Sequence, residues 1–218
     1  MLQIIKEPAL AEKNIPFGVV EVRFPENESL REDAFRALVE KELAALEGKY
    51  GAYDRKAVFG ENPYFRFFRK FKKTYPVLLQ LESVLKGRPF PNFNPVAELP
   101  FLLELTTLVL SGAHDIDRMQ GTVELFLGTE KAPFMGMRGE MMHTYPGDFC
   151  ARDEDGIIFS LIAGADNRTC ARRDTRHVLY PIFGTPDLPE KVIREAMETL
   201  ERYIRVLSPE AEIFTEVM

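Results

Sequence analysis

Apolar and polar positions change period several times along the chain, and each change predicts an element. Ile15 to Phe24 alternates around Val19, Val20 and Val22 and predicts a strand. A helical period follows. Leu30, Phe35, Leu38, Leu43 and Leu46 fall roughly on one face behind Ser29, a residue able to cap, and Gly48 is placed to stop the helix. Asn62-Pro63 and Tyr75-Pro76 each predict a helix start, because proline at the first helical position gives up no hydrogen bond. The second of these ends at Gly87, in a turn that Pro89 and Pro91 stiffen, and an apolar helix starts from about Pro95.

After His114 the segments become short and β-rich: Val123 to Leu127, a hairpin of Asp148 to Ala151 and Gly156 to Ile162 turning at Asp153-Glu154-Asp155, and His177 to Phe183. Pro189 opens a last amphipathic helix with Ile193, Met197, Leu200, Ile204 and Leu207 as its stripe. Helices first, strands in the middle and a closing helix predict an α+β fold, and with no repeat or low-complexity linker the expectation is one domain over residues 1–218.

Three segments carry candidate chemistry. Tyr64 to Lys73 reads YFRFFRKFKK. Its Tyr64, Phe67, Phe68 and Phe71 share one helical face, while Arg66, Arg69, Lys70, Lys72 and Lys73 occupy the rest. A solvated surface helix, a phosphate-contacting helix and a membrane-surface helix all fit this pattern. Leu85 to Asp117 holds the proline turn, then Asn94 before Pro95 (a cap or a ligand contact), then the helix, then Gly112, His114, Asp115 and Asp117. Ala165 to Tyr180, ADNRTCARRDTRHVLY, offers Arg168 as a fork for a carboxylate or phosphate and Thr169 as a neutral donor. Arg172, Arg173 and Arg176 add charge to the same stretch.

Composition narrows the classes. The chain has 218 residues, 45% of them hydrophobic, enough for a sizeable core. No run approaches the roughly 20 apolar residues of a membrane span, and MLQIIKEPALAEK lacks the pattern of a signal peptide. Two cysteines, Cys150 and Cys170, make no disulfide framework and no zinc geometry, so a reduced, cytoplasmic protein without a metal or cofactor is expected. A formal charge of −6 argues against general affinity for nucleic acid; no DNA partner is expected, and an RNA partner would need a concentrated basic face. Met135, Met137, Met141 and Met142 read as core fillers, and His143 as a surface residue. No nucleophile elbow, phosphate-cradling loop or dinucleotide fingerprint is present, and no base is placed beside Cys170 by sequence.

The stretches Leu85 to Val96, Gly112 to Asp117 and Arg168 to Val178 resemble the editing domain of the phenylalanyl-tRNA synthetase beta subunit. There a Pro-Val pair opens a helix, a Gly-x-x-His-x-x-Asp turn closes it and its His lines the amino-acid pocket; here the turn from Gly112 to Asp117 is one residue shorter between Gly112 and His114. Free-standing relatives carry an Asp-Arg-Thr segment and then a Thr four to six residues on, a pattern that Arg168, Thr169 and Thr175 match, with Asn167 where they have Asp. The resemblance reaches from about Tyr64 to Phe183. It implies a layered β-β-α sandwich with flanking helices, tRNA as partner, and hydrolysis of the ester of mischarged tRNA in trans. His114 would then be the catalytic candidate, with Asn94, Asp115, Arg168, Thr169 and Thr175 on the substrate and the cations of Tyr64 to Lys73 on RNA. The family's Asp-x-Thr-Asn run is Glu98, Leu99, Pro100 and Phe101 here, which implies a different substrate side chain. An RNA-binding module without catalysis and a binder of a free amino-acid-like molecule remain open alternatives.

Overall fold

The computed structural model describes residues 1–27 and 29–218. In chain order, β1 (Ile4–Lys6), the short helix α1 (Pro8–Ala11) and β2 (Phe17–Arg23) lead into the helical half. That half comprises α2 (Glu32–Lys49), α3 (Arg55–Phe59), α4 (Pro63–Lys70), α5 (Pro76–Leu85) and α6 (Pro95–Thr107). The strand-rich half comprises β3 (His114–Asp115), β4 (Val123–Leu127), β5 (Pro133–Met135), β6 (Met141–His143), β7 (Phe149–Asp153), β8 (Gly156–Ser160), β9 (Gly164–Ala165) and β10 (His177–Phe183). Helix α7 (Glu190–Leu207) and strand β11 (Glu212–Val217) complete the α+β fold.

Three layers result. A five-stranded sheet runs β1-β4-β7-β8-β9 and a four-stranded sheet runs β11-β2-β10-β3, with β5-β6 as a separate hairpin. The two large sheets face each other through aromatic rings: Phe17 of β2 lies 5.5 Å from Phe149 and 6.3 Å from Phe159, and Phe159 meets Phe183 edge-on at 4.9 Å. The next residue, Gly18, points to the opposite face as strand alternation requires. A Cβ there would lie 2.7 Å from Met197 Sδ and 2.8 Å from Ile193 Cγ2, so this glycine is what lets α7 rest directly on the sheet. Strand β10 is buried at all of its positions, being covered on both faces.

Helix α6 leads into the segment that carries Leu110, Ser111, Gly112 and His114, and it solves two local problems. Its start is capped by Glu98, whose Oε1 accepts from the backbone N–H of Phe93 (2.6 Å) and of Asn94 (2.8 Å), while Arg36 pairs with Oε2 at 2.5 Å. Its interior holds Pro100, which cannot donate to the Val96 carbonyl one turn earlier. The buried Tyr180 hydroxyl donates to that carbonyl instead, at 3.0 Å. Tyr180→Phe leaves the acceptor buried and unmatched and is expected to lower unfolding free energy by about 1–2 kcal/mol, read by denaturant titration.

Several expectations need correction. Helix α2 starts after Arg31, whose N–H is held by the Leu207 carbonyl (2.8 Å) without a side-chain cap, so a tertiary contact and not Ser29 sets the boundary. Gly48 sits inside its last turn. The basic helix stops at Lys70, with Lys72 in the left-handed region (φ 57°), so Lys72 and Lys73 belong to a turn. The chain closes on β11, a strand, and not on a helix. Met135, Met137 and Met141 are 46%, 54% and 59% exposed on the β5-β6 hairpin, which is too thin to bury both of its faces. Among the described residues no helix is long and apolar enough to cross a membrane.

Candidate functional site

The residues from Gly112 to Asp115 form a short edge that is held on both sides. Gly112 N donates to Pro181 O (3.2 Å) on β10, and Asp115 N donates to Thr169 O (2.6 Å) on the other side. His114 is also bridged to Cys170. These backbone bonds bring together segments 55 residues apart, and the His114 ring meets the Thr169 side chain, with Nδ1 2.9 Å from Oγ1. Thr169 Oγ1 in turn donates to Asp166, whose carboxylate also accepts the N–H of Thr169 (3.1 Å) and of Arg168 (3.2 Å). The result is a chain from His114 through Thr169 to Asp166, in which all three residues are buried.

His114 opens onto a cavity of about 300 Å³ between the sheets and the helices. Phe68, Leu110, Phe159 and Phe183 make its apolar walls, and Lys73, Thr74 and Ser111 supply further polar groups. The His114 ring lies 5.7 Å from that of Phe159. Burial disfavours its imidazolium and lowers its pKa to about 4, so the ring is neutral at pH 7. Burial also raises the Asp166 carboxyl, against the hydrogen bonds from Thr169 and the nearby Arg168 charge. Behind the wall, Glu104 accepts from Ser111 N at 3.0 Å, and burial pushes its pKa up to about 8.

The other residues singled out by sequence lie elsewhere. Strand alternation turns Asp115 away from the cavity, where its Oδ2 accepts from Thr175 Oγ1 (2.7 Å) and Arg118 Nε (3.3 Å). Asp115 and Thr175 are therefore joined to each other and not to the cavity wall. Asn94 is buried beside the start of α6, makes no side-chain cap and does not line the cavity. Arg168 was expected beside His114. Its guanidinium instead forms a two-point contact with Asp153, Nη1 to Oδ2 at 2.9 Å and Nη2 to Oδ1 at 2.7 Å, and donates to Arg118 O at 2.7 Å. It fastens the β7-β8 turn to the loop that carries Thr169. Arg168→Ala leaves the Asp153 carboxylate without its cation and is expected to cost about 2 kcal/mol of stability by chemical denaturation.

Of the cations in Tyr64 to Lys73, Lys73 reaches the cavity rim, with Nζ 5.6 Å from the Tyr145 ring centre. Arg66, Arg69, Lys70 and Lys72 are exposed; Arg66 pairs with Glu61 at 3.1 Å and Arg69 lies over Phe65 at 5.7 Å. The stripe of Tyr64, Phe67 and Phe68 is buried, as the helical spacing predicts. Sequence reasoning missed Asp166 by attending to its neighbour Asn167, whose side chain instead donates to Met137 O at 2.9 Å. The available signal was Asp166 three residues before Thr169, the spacing at which an aspartate accepts from a following backbone N–H. It also missed Asp148, fully buried, which accepts from the cavity residue Ser160 and from Ile162 N (3.2 Å); burial pushes its pKa up to about 6. Cys170 donates its thiol to Asn167 O at 3.2 Å.

No family model and no curated protein matches this sequence. The fold is similar to that of an N-terminal fragment of the phenylalanyl-tRNA synthetase beta subunit from Pyrococcus horikoshii, with a TM-score of 0.51 and 11% identity over 100% of this chain and 54% of that chain. The chain thus spans about half the length of that fragment, and what the two share is the α+β fold.

Proposed function

We propose that this chain binds the 3′ end of tRNA and hydrolyses the ester linking a wrong amino acid to it. The observation that carries the reading is a neutral, buried His114 opening into an apolar cavity whose rim holds Lys73. An aminoacyl ester is already activated, so the site must place a water and accommodate the amino acid, without a strong nucleophile. A ring with a pKa of about 4 is a poor proton abstractor at pH 7 but a good fixed acceptor, which suits orienting a water. The aromatic walls suit an apolar side chain, and the cations of α4 and the following turn suit phosphates beyond the rim. The likeness to a synthetase fragment supports the same reading at the level of fold.

The test is a survey of mischarged tRNAs, scoring amino acid released by the purified protein. Release from at least one tRNA is expected. Binding of tRNA without any release would favour the non-catalytic RNA-binding module, and neither binding nor release would favour a small-molecule site. Replacing Lys70, Lys72 and Lys73 together by Ala is expected to weaken tRNA binding and to flatten its salt dependence by about 0.7–0.9 in logarithmic slope per lost phosphate contact. An unchanged slope would move the contact surface away from this turn.

A further inference from the structure

A histidine held at one ring nitrogen takes the tautomer that its holder dictates. The Asp166 carboxylate receives two backbone N–H groups and the Thr169 hydroxyl, and the Arg168 guanidinium stands 3.9 Å away, so Asp166 acts as an acceptor. The Thr169 proton is thereby committed to Asp166. What Thr169 Oγ1 has left for His114 Nδ1, at 2.9 Å, is a lone pair. Among the described residues no hydrogen bond engages the second nitrogen, Nε2, which stands at the cavity wall 3.7 Å from where a Cβ on Gly112 would lie.

We propose that Asp166, acting through Thr169, fixes His114 as the Nδ1–H tautomer, so that Nε2 faces the cavity as an acceptor that takes a donor group, a water or an ammonium, and refuses a carboxylate. Asp166 is then a positioning residue that touches no ligand itself. Only the identity of that donor, the attacking water or the α-ammonium of an aminoacyl ester, rests on the function proposed above. Where the donor is the attacking water, the carboxylate formed in its place gains nothing from this acceptor, which favours release of the amino acid once the ester is cleaved. The low proton affinity of the buried ring keeps Nε2 unprotonated at neutral pH.

Long-range proton–nitrogen spectra of ¹⁵N-labelled protein at pH 7 report the tautomer directly. The chain has three histidines, His114, His143 and His177, so substituting the others assigns the signal. The wild type should show His114 as Nδ1–H. Thr169→Val should release it towards Nε2–H, whereas Thr169→Ser should retain it. Deacylation should drop on the order of tenfold in Thr169→Val, from the loss of one positioning hydrogen bond, and recover in Thr169→Ser. Finding Nε2–H or an imidazolium in the wild type would overturn the proposal, and does so even if Thr169→Val fails to fold. An Nδ1–H ring in a protein that deacylates no tRNA would sink the proposed function and leave this assignment standing.

Discussion

His114→Ala is expected to slow release of the amino acid from the sensitive mischarged tRNA by about 10²-fold, with the fold and tRNA binding retained. The size follows from the role. Orienting a water against an activated ester is one contribution among several, and the cavity walls and the rim cations still position the substrate after the ring is gone. The fold should survive because the ring already borders a cavity on one side, and its removal takes away one hydrogen bond to Thr169 and one contact with Phe159. Two measurements separate catalysis from structure: single-turnover deacylation, which should fall, and the thermal unfolding midpoint, which should move by a few degrees at most. His114→Gln is the informative companion. Its amide carbonyl can reach into the same space as an acceptor, so partial recovery is expected. A fully active His114→Ala protein would remove His114 from the chemistry.

The sequence was legible where a period or a proline dictated the element. Three helices begin at Pro63, Pro76 and Pro95 as expected, because proline at the first turn costs no hydrogen bond, and the stripe of α7 is buried at every expected position. The strands Val123–Leu127 and His177–Phe183 have the expected bounds. Two-residue strands such as β3 and β9 have no period to read, and both lie at the cavity. The meeting of His114 with Thr169 depends on β-bridges between distant segments, which only the assembled sheet supplies. The resemblance led to this pair but also placed Arg168 beside it. The fork of Arg168 fits a ligand's carboxylate and the chain's own Asp153 equally well, and no local pattern distinguishes the two. The hairpin methionines show the same limit, since composition cannot say whether a short two-stranded ribbon has anything to cover its outer face.

Stability should fall as pH rises from about 6.5 to 8, and Glu104 should be the cause. The fully enclosed carboxyl of Glu104 has its pKa pushed from 4.5 up to about 8, so the folded chain keeps a proton there that the unfolded chain gives up. A group raised on folding stabilises fully below its unfolded pKa and loses that contribution as pH climbs through its folded pKa. His114 has the opposite sign. Lowered from 6.5 to about 4, it contributes fully above 6.5 and loses that contribution as pH falls towards 4. Asp148, raised from 3.8 to about 6, has lost most of its contribution by pH 6. From 4.5 to 6.5 Glu104 and His114 therefore oppose each other, while above 6.5 His114 no longer offsets the loss at Glu104. The expected fall from there to pH 8 is about 2 kcal/mol. Urea titrations at pH 6.5, 7.25 and 8 measure it. Glu104→Gln keeps an acceptor for the Ser111 N–H and carries no ionisable proton, so its stability should stay level over the same interval. A fall of equal size in that variant would place the titrating group elsewhere. Because Ser111 lines the cavity, ionising Glu104 also puts a charge directly behind its wall, and deacylation measured over the same interval should decline in the wild type but hold in Glu104→Gln.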